Sequence, residues 1–447
     1  MQKAAAKIVA ASTAGNLVCA ASGRISTTQG TALEILERSA QKDNNASLIE
    51  KVFASGHQST IEHAMFTVAF DSVSVCTEEF VIEYRLASYT VQSRRYVDYS
   101  QTGFYLPELP EPLSRPFSAH MQSLFDDYAK LLAMDIPKED ARFVLPYCFR
   151  SNFYCTMNAR ELLHMIEAML WGRGSVFPEL KILGESLAAQ FSEYFPNLVS
   201  FMEKKHSAKN DRFALPETLP EIPEPQPAEA ETVLQDSTRD AAQTLLSAAA
   251  CNFAVLPGHA PDLRTVVLGE RPRELELIQA RFAIRRLSLA AVTHLVRHRM
   301  QSVLVPQVTQ AVLTNTYLLP DSVKASPAAL EIYQAAFARN VQTLRTLLAD
   351  GLPVWAVQYF AMAGNQIDVL CCMNGRELRH FFALRTCNRA QWEIRACAVS
   401  LLTQLRAESP DVFALMGPSC YVNGVCPEGR LSCGKAAEIR KIFSEKL

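Results

Sequence analysis

The chain repeats itself, and this repetition limits the folds that it can adopt. The segment MNARELLHMIEAML begins at Met157 and is matched by MNGRELRHFFALR, which begins at Met373, a separation of 373 − 157 = 216. VSVCTEEFVIEYRLAS ends at Ser88 and is matched by LSLAAVTHLVRHRMQS, which ends at Ser302, a separation of 302 − 88 = 214. Two nearly equal separations in the same order predict two copies of one fold.

A segment rich in proline and glutamate divides the chain between these copies. Residues 205–232 show almost no apolar periodicity, which is typical of an extended, semi-rigid linker. We therefore predict an N-terminal repeat over residues 1–204 and a C-terminal repeat, with a cysteine-rich tail, over residues 233–447.

Each repeat is predicted to combine helices with a short sheet, which places it in the α+β class. In the N-terminal repeat a first helix precedes the segment His57–His63, and Phe66–Phe70 alternates like a half-buried strand. A helix then leads to an arginine-bearing turn, and a long amphipathic segment precedes the MNxREL helix. In the C-terminal repeat the segment from Leu287 to Ser302 shows helical spacing of its apolar residues.

Composition excludes several classes of function. The net charge of −2 argues against a general binder of nucleic acid or membrane surfaces. No stretch approaches the roughly 18 apolar residues of a membrane span. The apolar start is interrupted by Ser12, Thr13 and Asn16, which is unlike a signal peptide. The 12 cysteines are therefore interpreted as reduced thiols, and a cytoplasmic location is expected.

Three consecutive basic residues, Arg297, His298 and Arg299, lie near the end of the apolar segment that begins at Leu287. One interpretation is a cationic group that offsets the dipole at a helix C-terminus. The other is an anion site, in which arginines bind phosphate and the imidazole contacts a flat cofactor. The cluster by itself leaves both interpretations open.

The two repeats keep different charged groups. Where the C-terminal repeat has Arg297 and His298, the N-terminal repeat has Glu83 and Tyr84. The N-terminal repeat keeps Ser93, Arg95, Tyr96 and Arg142, where the C-terminal repeat has Gln307, Thr309, Gln310 and Gln358. Conversely, the C-terminal repeat keeps Arg385, Gln391, Glu393 and Arg395, where the N-terminal repeat has Met169, Ser175, Phe177 and Glu179. Complementary loss is expected if one composite site is built from both repeats and its twin is abandoned.

The tail contains Cys420, Cys426 and Cys433, and cysteines are common zinc ligands. Their spacing lacks a CxxC pair and supplies only three thiols, although Cys371, Cys372, Cys387 or Cys397 could supply a fourth. We predict a loop-rich tail without a metal, with the metal site as the alternative.

Six motifs in order resemble those of flavin-dependent thymidylate synthases, here as a tandem fusion: HxSxxEH, SxRY, DARxxLP, MNxREL, RHRxxS and R(x5)QWEIR. The resemblance covers nearly the whole chain apart from the linker. It implies two copies of the family's α+β fold that form a pseudo-dimer. Family members are homotetramers with shared active sites, so a homodimer of this chain, a pseudo-tetramer, is expected.

The resemblance also implies a role for individual residues. The flavin-binding set is Ser59, Glu62, Arg297, His298, Arg299, Asn374, Arg376 and His380, although Asn158, Arg160 and His164 could replace the last three. The substrate-binding set is Gln92, Ser93, Arg94, Arg95, Arg142, His294, Arg297 and Arg385. Arg385 is expected to be catalytic by stabilising the ionised pyrimidine, and Arg94 is expected to be a solvated neighbour.

The implied reaction converts dUMP to dTMP, with FAD as the cofactor, methylenetetrahydrofolate as the carbon donor and NADPH as the reductant. No nucleic acid or membrane partner is expected. The family usually has glutamine where this chain has His294. One alternative is therefore the alkylation of a different pyrimidine nucleotide by the same chemistry. The other is a catalytically silent protein that binds flavin or nucleotide, but complementary retention argues against it.

Overall fold

The computed structural model describes residues 3–207, 213–252 and 261–445 of the chain. Two four-stranded antiparallel sheets carry the fold. The first consists of β1 (Ala5–Ala11), β2 (Met65–Ser74), β3 (Ala87–Val91) and β4 (Arg150–Asn158), in the order β1-β2-β4-β3. Strand β5 (Gln226–Pro227) pairs outside the sheets. The second sheet consists of β6 (Glu231–Ser237), β7 (Gln279–Ser288), β8 (Gln301–Leu304) and β10 (Gln366–Asn374), in the order β6-β7-β10-β8, and β9 (Thr316–Tyr317) pairs with β5.

Helices cover these sheets. The N-terminal repeat contains α1 (Gly15–Ile25), α2 (Ala32–Ala40), α3 (Asn45–Ala54), α4 (Val75–Ile82), α5 (Glu111–Ala133), α6 (Lys138–Ala141), α7 (Ala159–Leu170), α8 (Pro178–Ser192) and α9 (Leu198–Ser207). Short 3-10 helices span Gln58–His63 and Arg142–Val144.

The C-terminal repeat follows the same order. It contains α10 (Ala241–Asn252), α11 (Leu263–Leu268), α12 (Leu289–Leu295), α13 (Val308–Thr314), α14 (Asp321–Lys324), α15 (Pro327–Ala349), α16 (Gly375–Arg385), α17 (Trp392–Glu408), α18 (Pro410–Phe413), α19 (Ser419–Val422) and α20 (Ala436–Glu445). Its 3-10 helices span Arg273–Leu277, Val354–Phe360 and Gly429–Leu431. The α+β prediction and the duplication are therefore confirmed.

Matching hydrogen bonds explain why both repeats fold alike. Ser74 caps α4 and donates from its backbone N–H, 2.7 Å, and its hydroxyl, 2.6 Å, to the buried carboxylate of Glu179. Ser288 caps α12 and makes both bonds to Glu393, the backbone bond being 2.7 Å. Because a buried carboxylate needs hydrogen-bond donors, each clamp fixes a strand end to a helix behind the sheet.

The chain forms two compact units whose limits differ from the repeat limits. One unit contains Met1–Glu221 and Ser326–Met362, and the other contains Ile222–Ala325 and Ala363–Leu447. Helix α15 of the C-terminal repeat thus packs on α5 in the first unit. Their contact buries a polar bond between His120 Nε2 and Asn340 Oδ1, 2.8 Å, beside the ion pair of Arg339 with Asp127.

Two local predictions need correction or detail. The segment from Leu287 to Ser302 is not one helix, because Leu287 ends β7, α12 covers only Leu289–Leu295, and β8 begins at Gln301. Residues 287–295 are buried on both faces, with only His294 half-buried, so their apolar spacing does not distinguish strand from helix. Of the predicted linker, residues 226–227 and 231–232 lie in strands, and residues 208–212 lie outside the described residues. The repeat and linker limits stay predictions.

Candidate active site

The basic cluster lies in the turn between α12 and β8, not inside a helix. Arg297 and Arg299 are exposed, whereas His298 between them is only 2% exposed. The Gln301 side-chain amide donates to the Leu295 carbonyl, 2.7 Å, and so satisfies a carbonyl at the end of α12. The alternation of exposed, buried and exposed side chains directs two cations outward and one imidazole inward.

His298 bridges a carboxylate and a guanidinium. Its Nδ1 lies 2.8 Å from Glu377 Oε1, and its Nε2 accepts a hydrogen bond of 3.0 Å from Arg385 Nε. Because a guanidinium can only donate, Nε2 is unprotonated and the ring proton resides on Nδ1, where it is donated to Glu377. The three side chains form a chain that fixes the orientation of Arg385.

Electrostatics favour this protonation state. Burial lowers the pKa of His298, and Arg385 lowers it further, against the opposing effect of Glu377. Burial alone would raise the pKa of Glu377, but the hydrogen bond and charge of His298, together with His380 and the Met300 backbone, outweigh burial, so that pKa is lowered. A neutral imidazole beside an ionised carboxylate is therefore the stable state at neutral pH.

Helix α16 places the remaining groups of this site. Asn374 caps it by accepting from Glu377 N, 2.9 Å, which brings Glu377 into the first turn and under His298. Phe381 packs edge-on against the His298 ring at 5.0 Å, and the exposed His380 packs against it at 5.5 Å. A helix with Asn at its N-cap thus presents carboxylate, aromatic and arginine side chains toward one histidine.

Sequence reasoning did not assign Glu377 or Glu276. Arg376 Nη1 lies 2.6 Å from Glu276 Oε1, within its own repeat. In the N-terminal repeat Arg160 Nη1 lies 2.6 Å from Glu62 Oε1 in the same way. The spacing 276 − 62 = 214 would have identified Glu276, and Glu377 is the glutamate of MNxREL itself.

The predicted phosphate-binding loop follows β3 in the first unit. Arg95 Nε pairs with Glu139 Oε2 at 2.8 Å, and Arg95 N donates to Ser93 Oγ at 3.3 Å. Gln92 is exposed. Arg142 is buried and donates from Nε to the Glu139 carbonyl, 3.1 Å, so Glu139 links the two arginines.

Arg142 also carries an unsatisfied donor. Its Nη2 is buried and has no hydrogen-bond partner in the part of the chain that the structure describes. Burial, and next the charge of Arg94, lower the pKa of Arg142 to about 10. A buried guanidinium with an unused N–H is suited to an anionic ligand, because an anion would relieve both costs.

Arg94 differs from the prediction of a solvated neighbour. It is 9% exposed and pairs with Glu78, which is 2% exposed. The prediction was wrong because the alternation of the loop points this side chain inward, where a carboxylate is available.

The structure separates the predicted site residues into two groups. The second unit brings His298, Arg385, Glu377 and His380 together and places Arg297 and Arg299 beside them, with His294 half-buried on α12. The first unit brings Ser93, Arg95 and Arg142 together through Glu139. The exposed Ser59 and the Glu62–Arg160 pair also lie in the first unit.

Among its described residues, the N-terminal repeat has no equivalent of the histidine relay. At the position of His298 it has Tyr84, whose pKa is raised by burial, and at that of Arg297 it has Glu83, which pairs with Arg173. The position of Arg385 is occupied by Met169, which is 0% exposed. The same place in the fold is thus filled by groups that cannot orient an arginine.

The predicted exchanges of Glu393 and Arg395 are wrong. The sequence offset of 216 pairs Glu393 with Phe177, but the clamps pair Glu393 with Glu179, since 393 − 179 = 214 and 288 − 74 = 214. The C-terminal repeat is two residues shorter before α17, so Arg395 matches Lys181. Both repeats therefore keep this glutamate, and it does not belong to the divided set.

Over the described residues, no helix is long and apolar enough to cross a membrane. No three His, Cys, Asp or Glu side chains in those same ranges form a group that could hold a metal ion. The cysteines of the tail are free thiols, and Cys420 has Cys387, Cys426 and Cys433 in its electrostatic surroundings.

Comparisons with known proteins agree with the predicted duplication. A family model described as "Thymidylate synthase complementing protein" matches residues 7–197 and 259–411, one segment in each predicted repeat. A flavin-dependent thymidylate synthase of Geobacter sulfurreducens is 38% identical over 176 residues, 38% of this chain and 75% of the relative. One of Clostridium tetani is 32% identical over 186 residues, 38% of this chain and 74% of the relative.

Proposed function

Because this chain belongs to the family of thymidylate synthase complementing proteins, as its motifs predict, we propose that it is a flavin-dependent thymidylate synthase. It would convert dUMP to dTMP with methylenetetrahydrofolate as the carbon donor and NADPH as the reductant. The observation that carries the proposal is the relay from Glu377 through His298 to Arg385.

The relay has a direct chemical use. A guanidinium at the pyrimidine stabilises the negative charge that develops as C5 becomes nucleophilic. Arg385 is held for this role by donating to His298, whose acceptor nitrogen is kept unprotonated by Glu377 on the other side of the ring. A fixed arginine loses less orientational freedom in the reaction than a solvated one.

The residues of the second unit fit FAD. A dinucleotide offers a pyrophosphate to cations and flat rings to aromatic side chains, and here Arg297 and Arg299 are exposed beside the edge-on pair of His298 and Phe381. Asn374, Arg376 and His380 of α16, with Ser59 and Glu62 of the other repeat, are proposed to complete the binding set. When bound, the flavin supplies the reducing electrons of the reaction.

The phosphate of dUMP is assigned to the first unit. Arg95 and Arg142 carry charge, Ser93 carries a hydroxyl, and Arg142 Nη2 is an unused buried donor. A dianion suits two guanidinium groups and a hydroxyl. Gln92 is proposed to contact the nucleotide from this loop, and His294 and Arg297 from the other repeat.

We therefore propose one composite site per chain, drawn from the groups that each repeat retains, and a homodimer of tandem chains. The direct test is tritium release from [5-³H]dUMP by purified, flavin-loaded protein with NADPH and methylenetetrahydrofolate. Release that depends on all three supports the proposal. Protein that binds no flavin, or releases no tritium, would overturn it.

A second candidate is the alkylation of a different pyrimidine nucleotide, favoured by His294 in place of the family's glutamine. It predicts flavin-loaded protein that leaves dUMP unchanged and alkylates an analogue. Substrate competition, measured as inhibition of tritium release by other pyrimidine monophosphates, distinguishes the two.

A further inference from the structure

A buried polar cluster lies beneath the proposed phosphate loop, and two of its members, Glu78 and Ser151, belong to none of the family motifs. The Glu78 carboxylate on α4 receives hydrogen bonds from Arg94 Nη2 and from Ser151 Oγ on β4, both at the same oxygen. The three residues are 2%, 9% and 1% exposed. Arg94 also lies over the ring of Phe149, 5.1 Å from its centre.

Arg94 and Glu78 form a buried ion pair. Burial alone would lower the pKa of Arg94, but Glu78, together with Tyr147, Glu79 and Tyr99, outweighs burial and raises it. A buried ion pair contributes little net stability compared with apolar side chains of similar size, whereas a single unpaired partner is strongly destabilising. Retention of such a cluster therefore needs a reason other than the stability of the fold.

Its position supplies that reason. Arg94 lies between Ser93 and Arg95, so its buried side chain anchors the middle of the loop. Ser93 bonds to Arg95 N, and Val97 N donates to the Ser93 carbonyl, 3.2 Å. With Arg94 fixed from below, the adjacent hydroxyl and guanidinium keep their relative positions.

The C-terminal repeat, which lacks the binding groups of the phosphate loop, has apolar residues at the positions of this cluster. Glu78 corresponds to Val292 on α12 and Ser151 to Ile367 on β10, both 2% exposed, since Ser151 pairs with Val73 and Ile367 with Leu287. At the same separation of 214 residues Arg94 corresponds to Val308. The three positions are thus polar in the repeat whose loop keeps its binding groups. They are apolar in the repeat whose loop has lost those groups.

We propose that Glu78 and Ser151 are positioning residues, which hold Arg94 and through it Ser93 and Arg95 in the conformation that binds the substrate phosphate. The inference rests on the proposed function. Arg94 acts from beneath the loop and is not itself a phosphate ligand.

The chain provides its own apolar replacement for the test. The triple variant E78V/R94V/S151I transfers the residues of the C-terminal repeat, so the fold has a precedent for them. We expect a melting temperature close to that of the wild type, a KM for dUMP raised roughly 10- to 100-fold, and a kcat within about threefold. The KM for methylenetetrahydrofolate should not change.

Graded variants and a control separate positioning from stability. Ser151→Ala keeps the ion pair and should raise the KM for dUMP less than about threefold. Arg94→Lys keeps the positive charge and should raise the KM for dUMP less than the triple variant does. Arg339→Gln breaks an ion pair with the buried Asp127 elsewhere in the first unit and should leave the KM unchanged. A folded triple variant with an unchanged KM would overturn the inference.

Calorimetric titration with dUMP keeps the two proposals apart. If the wild type binds no dUMP, the proposed function fails. If the wild type and the triple variant bind dUMP equally, only the positioning role fails. Should the triple variant not fold, Glu78→Gln decides the question, because it keeps the side-chain volume and removes the charge; unchanged dUMP affinity would then overturn the inference.

Discussion

The two repeats share their framework and differ in the groups attached to it. Both clamp a capping serine to a buried glutamate, and both fix the first strand of the sheet with a glutamine. Ile8 N donates to Gln190 Oε1, 2.7 Å, and Leu234 N donates to Gln404 Oε1, 2.9 Å. The differences lie at the His298 relay and at the phosphate loop. Buried framework bonds are costly to lose, whereas groups at the rim of a site can be divided between copies.

The largest expected effect is at the relay. Arg385→Ala should lower kcat/KM on the order of 10³-fold, because it removes the only relay arginine of the described second unit. Its counterpart Met169→Ala should change kcat/KM by less than about threefold while lowering stability through a core cavity. Steady-state kinetics of both variants test the comparison, and equal losses of activity would break it.

The phosphate loop gives the next largest contrast. Arg95→Ala should raise the KM for dUMP on the order of 100-fold, since it removes a charge-assisted contact to a dianion. Thr309→Ala, at the corresponding position of the other repeat, should have no measurable effect. The KM for dUMP at saturating folate is the readout, and a strong effect of Thr309→Ala would show that the second loop still binds substrate.

The glutamate clamps test what the repeats share. Glu179→Gln and Glu393→Gln should each lower the free energy of unfolding of their own unit by about 1–3 kcal/mol, with dUMP binding unchanged. Burial raises the pKa of Glu179 above its value in the unfolded chain. The contribution of Glu179 to the free energy of unfolding is therefore lost as the pH rises through the pKa of the folded protein. Urea unfolding at several pH values measures both effects. If only the Glu393→Gln variant lost activity, Glu393 would have to be counted again among the site residues that a single repeat keeps.

The smallest effect concerns the helix pair α5–α15, where His120 faces Asn340 and the corresponding position of α15 is Ala336. Burial lowers the pKa of His120 from 6.5 to about 4. Because the unfolded chain takes up this proton first, stability falls as the pH drops from 6.5 toward 4, by about 1 kcal/mol between pH 7 and pH 5.5. His120→Gln should abolish this part of the pH dependence in urea unfolding.

Much of this architecture could be predicted from the sequence. The two separations of 214 and 216 identified the duplication, and the apolar spacing within each repeat predicted the α+β class. The division of site residues between the repeats stays a prediction. The strand that ends at Leu287 was missed, because a stretch buried on both faces has no diagnostic period. The Glu393–Phe177 pairing failed since a two-residue deletion before α17 changes the offset, and only the clamp bonds reveal it. The inward direction of the Arg94 side chain could not be predicted, because it depends on the tertiary contact with Glu78.

Complementary loss between the repeats is the central claim, and the stoichiometry of dUMP binding tests it most directly. Isothermal titration of flavin-loaded protein with dUMP should give one site per chain, with Arg95→Ala weakening that binding on the order of 100-fold. Two sites of similar affinity per chain would contradict the account, because the N-terminal repeat would then bind nucleotide without the His298 relay.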